Sequence, residues 1–138
     1  ISPFSLIFAS SAFIGGFTHK PNIDAIDYFL KEIWPQVHKL APEITFYLIG
    51  SNLPAEYAGI KDEHIKPIGY VKDLTERLEK TRITIAPLRY GAGAKGKIVS
   101  SLTHAVPCVA TSIAAEGTGL EDGQNILLAD RPSAFARK

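Results

Sequence analysis

Short apolar runs alternate with segments of helical periodicity along most of this 138-residue chain. Residues 44–50 are apolar almost without interruption, which is typical of a strand covered on both faces. In residues 21–40, by contrast, apolar side chains recur at spacings of three and four, which predicts a helix that Pro35 interrupts or kinks. The alternation of strand and helix predicts an α/β fold, a doubly wound parallel sheet with helices on both faces.

The other predicted elements are short. Further strands are predicted at residues 12–15, 65–71, 82–88, 106–111 and 126–129, and further helices at residues 54–60, 74–81 and 95–105. Asp73 is predicted to cap the second of these helices. Residues 5–9 are interpreted either as part of an earlier strand or as a disordered lead-in, and residues 132–138 as the start of a helix.

Length and composition predict one globular domain over residues 1–138. Hydrophobic residues make up 46% and charged residues 21%, which excludes a disordered chain. The net charge of +1 provides no broad basic surface, so no nucleic acid partner is expected. The single cysteine, Cys108, excludes an internal disulfide and a cysteine-based metal site and favours a reducing compartment, so we expect a cytoplasmic protein.

The first residues bear on the extent of the chain. Residues 1–17 are uncharged and apolar, but a membrane span needs about 20 such residues, so a buried strand is the favoured interpretation. The chain begins at Ile1 and contains no methionine, so we expect an excerpt of a longer, two-domain chain.

Residues 87–99 form a glycine-rich segment with three cations between a predicted strand and a predicted helix. Glycines allow backbone N–H groups to approach a ligand closely, and a helix start attracts anions. Arg89, Lys95 and Lys97 would repel one another in so short a loop, and an anionic ligand would remove that repulsion. The alternative is a tight turn with solvated lysines, but lysines at the positive end of a helix dipole are unfavourable without an anion. The segment therefore predicts a phosphate site.

Two known nucleotide-binding motifs fit the residues of this segment less well than a simple phosphate site does. Gly91 begins a G-x-G-x-x-G pattern, with Glu116 about twenty residues beyond it, but such fingerprints normally follow the first strand of their fold. A phosphate-loop interpretation ending at Lys97 lacks the hydroxyl that would hold magnesium, because Ile98 follows. The sequence also contains no D-x-D carboxylate pair and no H-x-x-x-H spacing. A bound diphosphate would therefore be neutralised by cations and backbone amides.

Glycine turns follow three of the predicted strands, at Gly15-Gly16, at Gly50 and at residues 91–96. The carboxyl ends of parallel strands meet at one edge of a sheet, and ligands of such sheets bind there. We therefore expect the three turns to lie together.

Several ordered segments resemble the C-terminal domain of the family 4, or group 1, GT-B glycosyltransferases. The segments that carry the resemblance are residues 13–26, 33–35, 46–50, 68–74, 85–98, 105–117 and 126–130. The resemblance implies a Rossmann-like α/β domain that binds a nucleotide-sugar donor, while a missing N-terminal domain binds the acceptor. It implies transfer of a hexose from a UDP- or GDP-sugar to a saccharide or lipid acceptor, with retention and with no metal or other cofactor required. Peripheral contact with a membrane would come through the missing domain.

The resemblance also implies which residues of this chain bind the donor, and it assigns none to catalysis. Those that would approach the diphosphate are Gly15, Gly16 and Lys20, and those that would face the nucleobase are Tyr70 and Val71. Those that would meet the sugar and phosphates are Arg89, Gly91, Gly93 and Ala94, with Lys95 and Lys97 carrying the diphosphate charge.

The chain departs from the family pattern at its two glutamates. The positions that match the Glu-x7-Glu motif are Ala92 and Ser100, so Ser100 would offer the ribose a hydroxyl where the family offers a carboxylate. Gly16 replaces a frequent arginine. Two alternatives therefore remain open: a non-catalytic family member that acts as a binding module, and a GT-B-like sugar-nucleotide epimerase.

Overall fold

A single parallel sheet organises the chain, with the strand order β3-β2-β1-β4-β5-β6. The computed structural model describes residues 10–60, 62–91, 95–104, 106–132 and 135, and gives the backbone alone at residues 58 and 95–97. The strands are β1 Ser10–Ile14, β2 Thr45–Ile49, β3 Ile65–Gly69, β4 Ile83–Ala86, β5 Cys108–Ala110 and β6 Leu127–Leu128. Strand order reverses between β1 and β4, which makes this pair the switch point of a doubly wound sheet.

Helices cover both faces of this sheet. They are α1 Lys20–Tyr28, α2 Trp34–Leu40, α3 Ala55–Ala58, α4 Thr75–Glu79, α5 Lys95–Thr103 and α6 Ser112–Ala115. Two neighbouring residues of β2 show the two faces: the Phe46 ring lies 4.5 Å from the Phe29 ring, and the Arg77 guanidinium of α4 lies 5.5 Å from the Tyr47 ring. Because adjacent strand residues point to opposite faces, α1 and α4 lie on opposite sides. The predicted α/β architecture is confirmed.

A π-helical turn, Phe29–Ile33, joins α1 to α2 directly before Pro35. The Trp34 N–H donates to the Phe29 carbonyl, five residues back. Proline has no N–H to donate and its ring crowds the preceding turn of an α-helix. The wider turn accommodates Pro35 without ending the helix, so the predicted interruption is a change of helical pitch.

Aromatic side chains fill the core between the sheet and the α1 face. Phe13, Phe29 and Phe46 are at most 2% exposed, and the Trp34 ring lies 5.9 Å from the Phe46 ring. On the opposite face the Thr84 and Ser101 hydroxyls are 2.6 Å apart and buried. This hydrogen bond attaches α5 to β4, and thus fixes the helix that follows the glycine-rich segment.

Element boundaries differ from the sequence predictions in several places. The strand expected at residues 12–15 begins two residues earlier, at Ser10, and the strand expected at residues 82–88 ends at Ala86, before Pro87. Asp73 Oδ1 accepts a hydrogen bond from the Thr75 N–H (2.9 Å), although Leu74 occupies the cap position itself. The expectations for residues 5–9 and for most of residues 132–138 fall outside the described residues. Within the described ranges, no helix has the length and apolarity needed to cross a membrane.

Candidate functional site

Glycine turns follow β1 and β2 at the carboxyl edge of the sheet and touch through their backbones. The Gly15 N–H donates to the Ile49 carbonyl (3.0 Å), and the Gly50 N–H donates to the Gly69 carbonyl at the end of β3 (2.8 Å). Gly50 has φ +153°, and a Cβ there would lie 1.6 Å from the Gly15 carbonyl oxygen. Only glycine fits at position 50, so the two turns pack against each other with no side chain between them.

A buried asparagine holds the turn between β1 and α1. Asn22, in the first turn of α1, is 5% exposed, and its Nδ2 donates to the Gly16 carbonyl (2.8 Å). A Cβ on Gly15 would lie 2.9 Å from that Nδ2, so the absence of a side chain at Gly15 makes room for the amide. Among the described residues, a Cβ on Gly16 would meet only Ser51 Oγ, at 3.8 Å. Packing therefore requires glycine at position 15 but not at position 16.

Arg89, in the segment that follows β4, is paired with carboxylates of the helix opposite. Its Nε and Nη2 donate to the two carboxylate oxygens of Asp24 on α1, at 3.0 and 2.6 Å. Its Nη1 lies 3.8 Å from a Glu32 oxygen, and its guanidinium lies 4.7 Å from the centre of the Tyr28 ring. The hydrogen bond to Asp24 raises the pKa of the Arg89 guanidinium, against a smaller opposing effect of burial.

The same loop contacts the start of α1 a second time. Gly91 has φ +85°, and a Cβ there would lie 2.4 Å from Cγ of Pro21. Gly91 therefore permits a close contact between the β4 loop and the helix that follows β1. These are the two elements that flank the switch point of the sheet.

The charge of Arg89 is already compensated within the fold, which corrects an expectation from the sequence. Arg89 was expected to need an anionic ligand to relieve repulsion, but Asp24 and Glu32 supply the opposite charge. The case for an anion then depends on Lys95 and Lys97, whose backbones belong to α5 and whose side chains are not described. The expected backbone donors Gly93 and Ala94 lie outside the described residues.

The other expected donor-binding residues lie along the same edge. Lys20 is exposed at the first position of α1, and Tyr70 is 71% exposed directly after β3, followed by the half-buried Val71. Three strand spacings separate β3 from β4, a distance of about 14 Å. Ser100 is half-buried in the second turn of α5, and its carbonyl accepts from the His104 Nδ1 (2.8 Å).

Beyond β4, polar side chains link the ends of β5 and β6. Thr111 Oγ1 donates to the Leu88 carbonyl (2.5 Å), and the Asp130 carboxylate accepts from the N–H and the hydroxyl of Ser112, at 2.9 and 2.6 Å. Between these groups and Arg89 lies a cavity of about 550 Å³. The chain segments that follow β4, β5 and β6 therefore line this cavity together with Tyr28 and Glu32.

The structure brings together the expected residues at the switch point, namely Gly15, Gly16, Lys20, Arg89 and Gly91. Tyr70 and Val71 lie further along the edge, after β3. Sequence reasoning missed Asn22 and Asp24. A polar pair near the start of an otherwise amphipathic helix, a few residues after a glycine turn, was the available signal.

The fold and this edge define the class of protein as a doubly wound α/β domain with glycine turns at the carboxyl ends of the strands beside its switch point. Residues 10–138 match the family of glycosyl transferases group 1, and the chain belongs to this family. The resemblance to GT-B glycosyltransferases is thereby confirmed at the level of family and fold.

One curated relative and several solved structures are similar to the chain. An uncharacterized 44.6 kDa protein in the cps region of Klebsiella pneumoniae is 26% identical over 138 aligned positions, gaps included, and the match covers 91% of this chain and 34% of that protein. The pneumococcal O-GlcNAc transferase GtfA, in complex with UDP and GlcNAc, superposes with a TM-score of 0.72 at 20% identity, over 94% of this chain and 28% of that one.

Two further structures share the fold. Staphylococcus aureus TarM, whose G117R mutant was crystallised with fondaparinux, alpha-GlcNAc-glycerol and UDP, gives a TM-score of 0.76 at 18% identity, over 96% of this chain and 28% of that one. Anabaena Alr3699/HepE, in complex with UDP and glucose, gives 0.64 at 16% identity, over 99% of this chain and 41% of that one. The chain thus spans about a third of the length of its curated relative.

Proposed function

We propose that this domain binds the nucleotide-sugar donor of a glycosyltransferase. The full protein would transfer a hexose from a UDP- or GDP-sugar to a saccharide or lipid acceptor, with retention, and an N-terminal domain would bind the acceptor. The observation that carries the proposal is that the chain segments which follow β1 and β4 meet at the switch point. There the Arg89–Gly91 loop meets the start of α1, the helix that follows the Gly15-Gly16 turn, through the contact of Gly91 with Pro21. Family membership and the UDP in three structures of similar fold support the same ligand class.

In this proposal the diphosphate lies against the β1 turn and the start of α5. Lys20, Lys95 and Lys97 and the backbone amides, rather than a metal, neutralise it. Negative charge builds on the diphosphate as the glycosidic bond breaks, so these groups stabilise the transition state more than the ground state. One ammonium group at about 4 Å contributes about 4 kcal/mol at an effective dielectric near 20, before desolvation.

The nucleobase is assigned to the end of β3. The exposed Tyr70 ring offers a face for stacking. Gly69, directly before Tyr70, has φ +81°, and a Cβ there would meet no atom of the described residues outside its two chain neighbours within 4 Å. The relative in the cps region supports a saccharide acceptor.

Titration of the full-length protein with UDP and GDP tests the proposal. A charge-assisted hydrogen bond contributes about 1.5–3 kcal/mol, so Lys97→Ala should weaken binding by about tenfold or more. Added salt should weaken it as well, and EDTA should leave it unchanged. Lys39→Ala is the matched control, because Lys39 is exposed near the end of α2, which leads into the amino edge of β2. Absence of binding at millimolar nucleotide would refute a donor site.

The loss of the family glutamate at Ser100 favours one second candidate, a family member that binds the nucleotide sugar without transferring it. Product analysis of the full-length protein with UDP-sugars and saccharide acceptors separates the two. Transfer to an acceptor supports the enzyme, whereas nucleotide binding with no turnover supports the binding module. Inversion of a sugar centre without an acceptor would support an epimerase instead.

A further inference from the structure

The Arg89 guanidinium binds α1 through a hydrogen-bond geometry that a lysine could not reproduce. Its two hydrogen bonds to the Asp24 carboxylate, at 3.0 and 2.6 Å, form the bidentate fork that suits a planar guanidinium. The Tyr28 ring lies 4.7 Å from the guanidinium, and a Glu32 oxygen lies 3.8 Å from Nη1. All three partners belong to α1 and the π-helical turn that continues it.

These contacts join the β4 loop to α1, the helix that follows the Gly15-Gly16 turn. Gly91, two residues after Arg89, contacts Pro21, one helical turn before Asp24. The β4 loop is thus attached to α1 at two points, the ion pair and the glycine–proline contact. Since α5 begins at Lys95, only four residues beyond Gly91, this attachment acts together with the Thr84–Ser101 hydrogen bond to position the start of α5 relative to the Gly15-Gly16 turn.

We propose that Arg89 is a positioning residue which, with Asp24, holds the β4 loop and the start of α5 at the spacing that a nucleoside diphosphate requires. This inference depends on the proposed function and refines it, since the family resemblance implied a direct contact between Arg89 and the donor. The two roles differ in the part played by Asp24. If Arg89 binds the donor directly, Asp24 competes with the phosphates for the guanidinium. If Arg89 positions the loop, nucleotide binding needs Asp24.

A double-mutant cycle in the full-length protein separates these roles, with the dissociation constant for UDP as the readout. Arg89→Ala and Asp24→Asn should each weaken UDP binding by about 5- to 30-fold, the range that corresponds to 1–2 kcal/mol. The double variant should be no weaker than either single variant, because all three lose the same contact. Arg89→Lys should resemble Arg89→Ala, since it keeps the charge and loses the fork. Unchanged or tighter UDP binding by Asp24→Asn would overturn the proposal.

Controls distinguish positioning from a general loss of stability. Binding is measured well below the unfolding midpoint of every variant, so that all samples are folded. A variant that lowers the midpoint and keeps the wild-type affinity would show a purely structural pair and overturn the proposal. Glu76→Ala, which breaks the exposed pair with Lys80 (3.2 Å) on the opposite face, should leave UDP affinity unchanged. Failure of the wild-type protein to bind UDP or GDP would instead overturn the proposed function, and with it this role.

Discussion

Gly91→Ala tests whether the loop after β4 is held in place by its contact with α1. Gly91 has φ +85°, and the new Cβ would lie 2.4 Å from Cγ and 3.0 Å from Cβ of Pro21. A positive φ costs an L residue about 1–2 kcal/mol. Overpacking against a rigid ring adds about 1–3 kcal/mol. The free energy of unfolding should therefore fall by about 2–5 kcal/mol, a large part of the about 5–15 kcal/mol typical of a domain.

Gly123→Ala provides the matched control, because Gly123 has nearly the same φ (+82°) and a Cβ there would meet no atom of the described residues within 4 Å. It should cost about 1–2 kcal/mol, from the backbone alone. Denaturant titrations of both variants measure the difference, which reports the contact with Pro21. Pro21→Ala removes the crowded Cγ, so Gly91→Ala should cost less in that background. Equal losses in the two glycine variants would refute the contact.

Two further substitutions test the core and the pH dependence. Ser101→Ala leaves the buried Thr84 hydroxyl without its 2.6 Å partner, so thermal unfolding should show a loss of about 1–3 kcal/mol; a change below about 0.5 kcal/mol would contradict this. The pKa of the Asp62 carboxyl is lowered mainly by the hydrogen bond from the His64 N–H and also by the one from the Trp34 indole. The ionised carboxylate therefore adds fully to the free energy of unfolding above its unfolded pKa near 3.9. This contribution is lost as the pH falls through the lower folded pKa. Asp62→Asn should lack this acid-dependent loss in unfolding measured from pH 2 to pH 6.

The alternation of elements was predictable because strands buried on both faces must be apolar. The sequence also placed the helix irregularity correctly, since proline acts locally whatever the tertiary context. The start of β1 was not predictable from apolarity, because it begins with two serines. Ser10 and Ser11 are 7% and 6% exposed, and their hydroxyls donate to the Lys80 and Thr45 carbonyls. Tertiary partners thus satisfy polar residues that a local pattern assigns to a loop.

The candidate site, too, could be predicted from the sequence only in part. Glycine turns at strand ends are local signals, and the topology brings Gly15 and Gly50 into contact. The pairing of Arg89 with Asp24 spans 65 positions, so no local pattern encodes it. In the sequence, Arg89 has no visible partner in its glycine-rich loop, because the carboxylate that pairs with it becomes a neighbour only in the folded chain.

Ser100→Glu tests whether α5 occupies the position that the family motif requires. The Ser100 carbonyl accepts hydrogen bonds from the His104 backbone N–H (3.3 Å) and Nδ1 (2.8 Å). These two bonds from one residue further along the chain hold the backbone of Ser100 in place. If the ribose of the donor lies beside this turn, a carboxylate there replaces a neutral hydrogen bond with a charge-assisted one. UDP binding should then tighten by about fivefold, corresponding to about 1 kcal/mol.

Val99→Glu is the matched control for that substitution, because Val99 is 56% exposed and points about 100° away around the same helix. It adds the same charge without reaching the ribose, so UDP binding should stay unchanged or weaken slightly through repulsion of the diphosphate. Equal effects of the two glutamates on the UDP titration would mean that only overall charge matters. The ribose would then lie away from α5, and the carboxyl edge at the switch point would hold the nucleotide in another orientation.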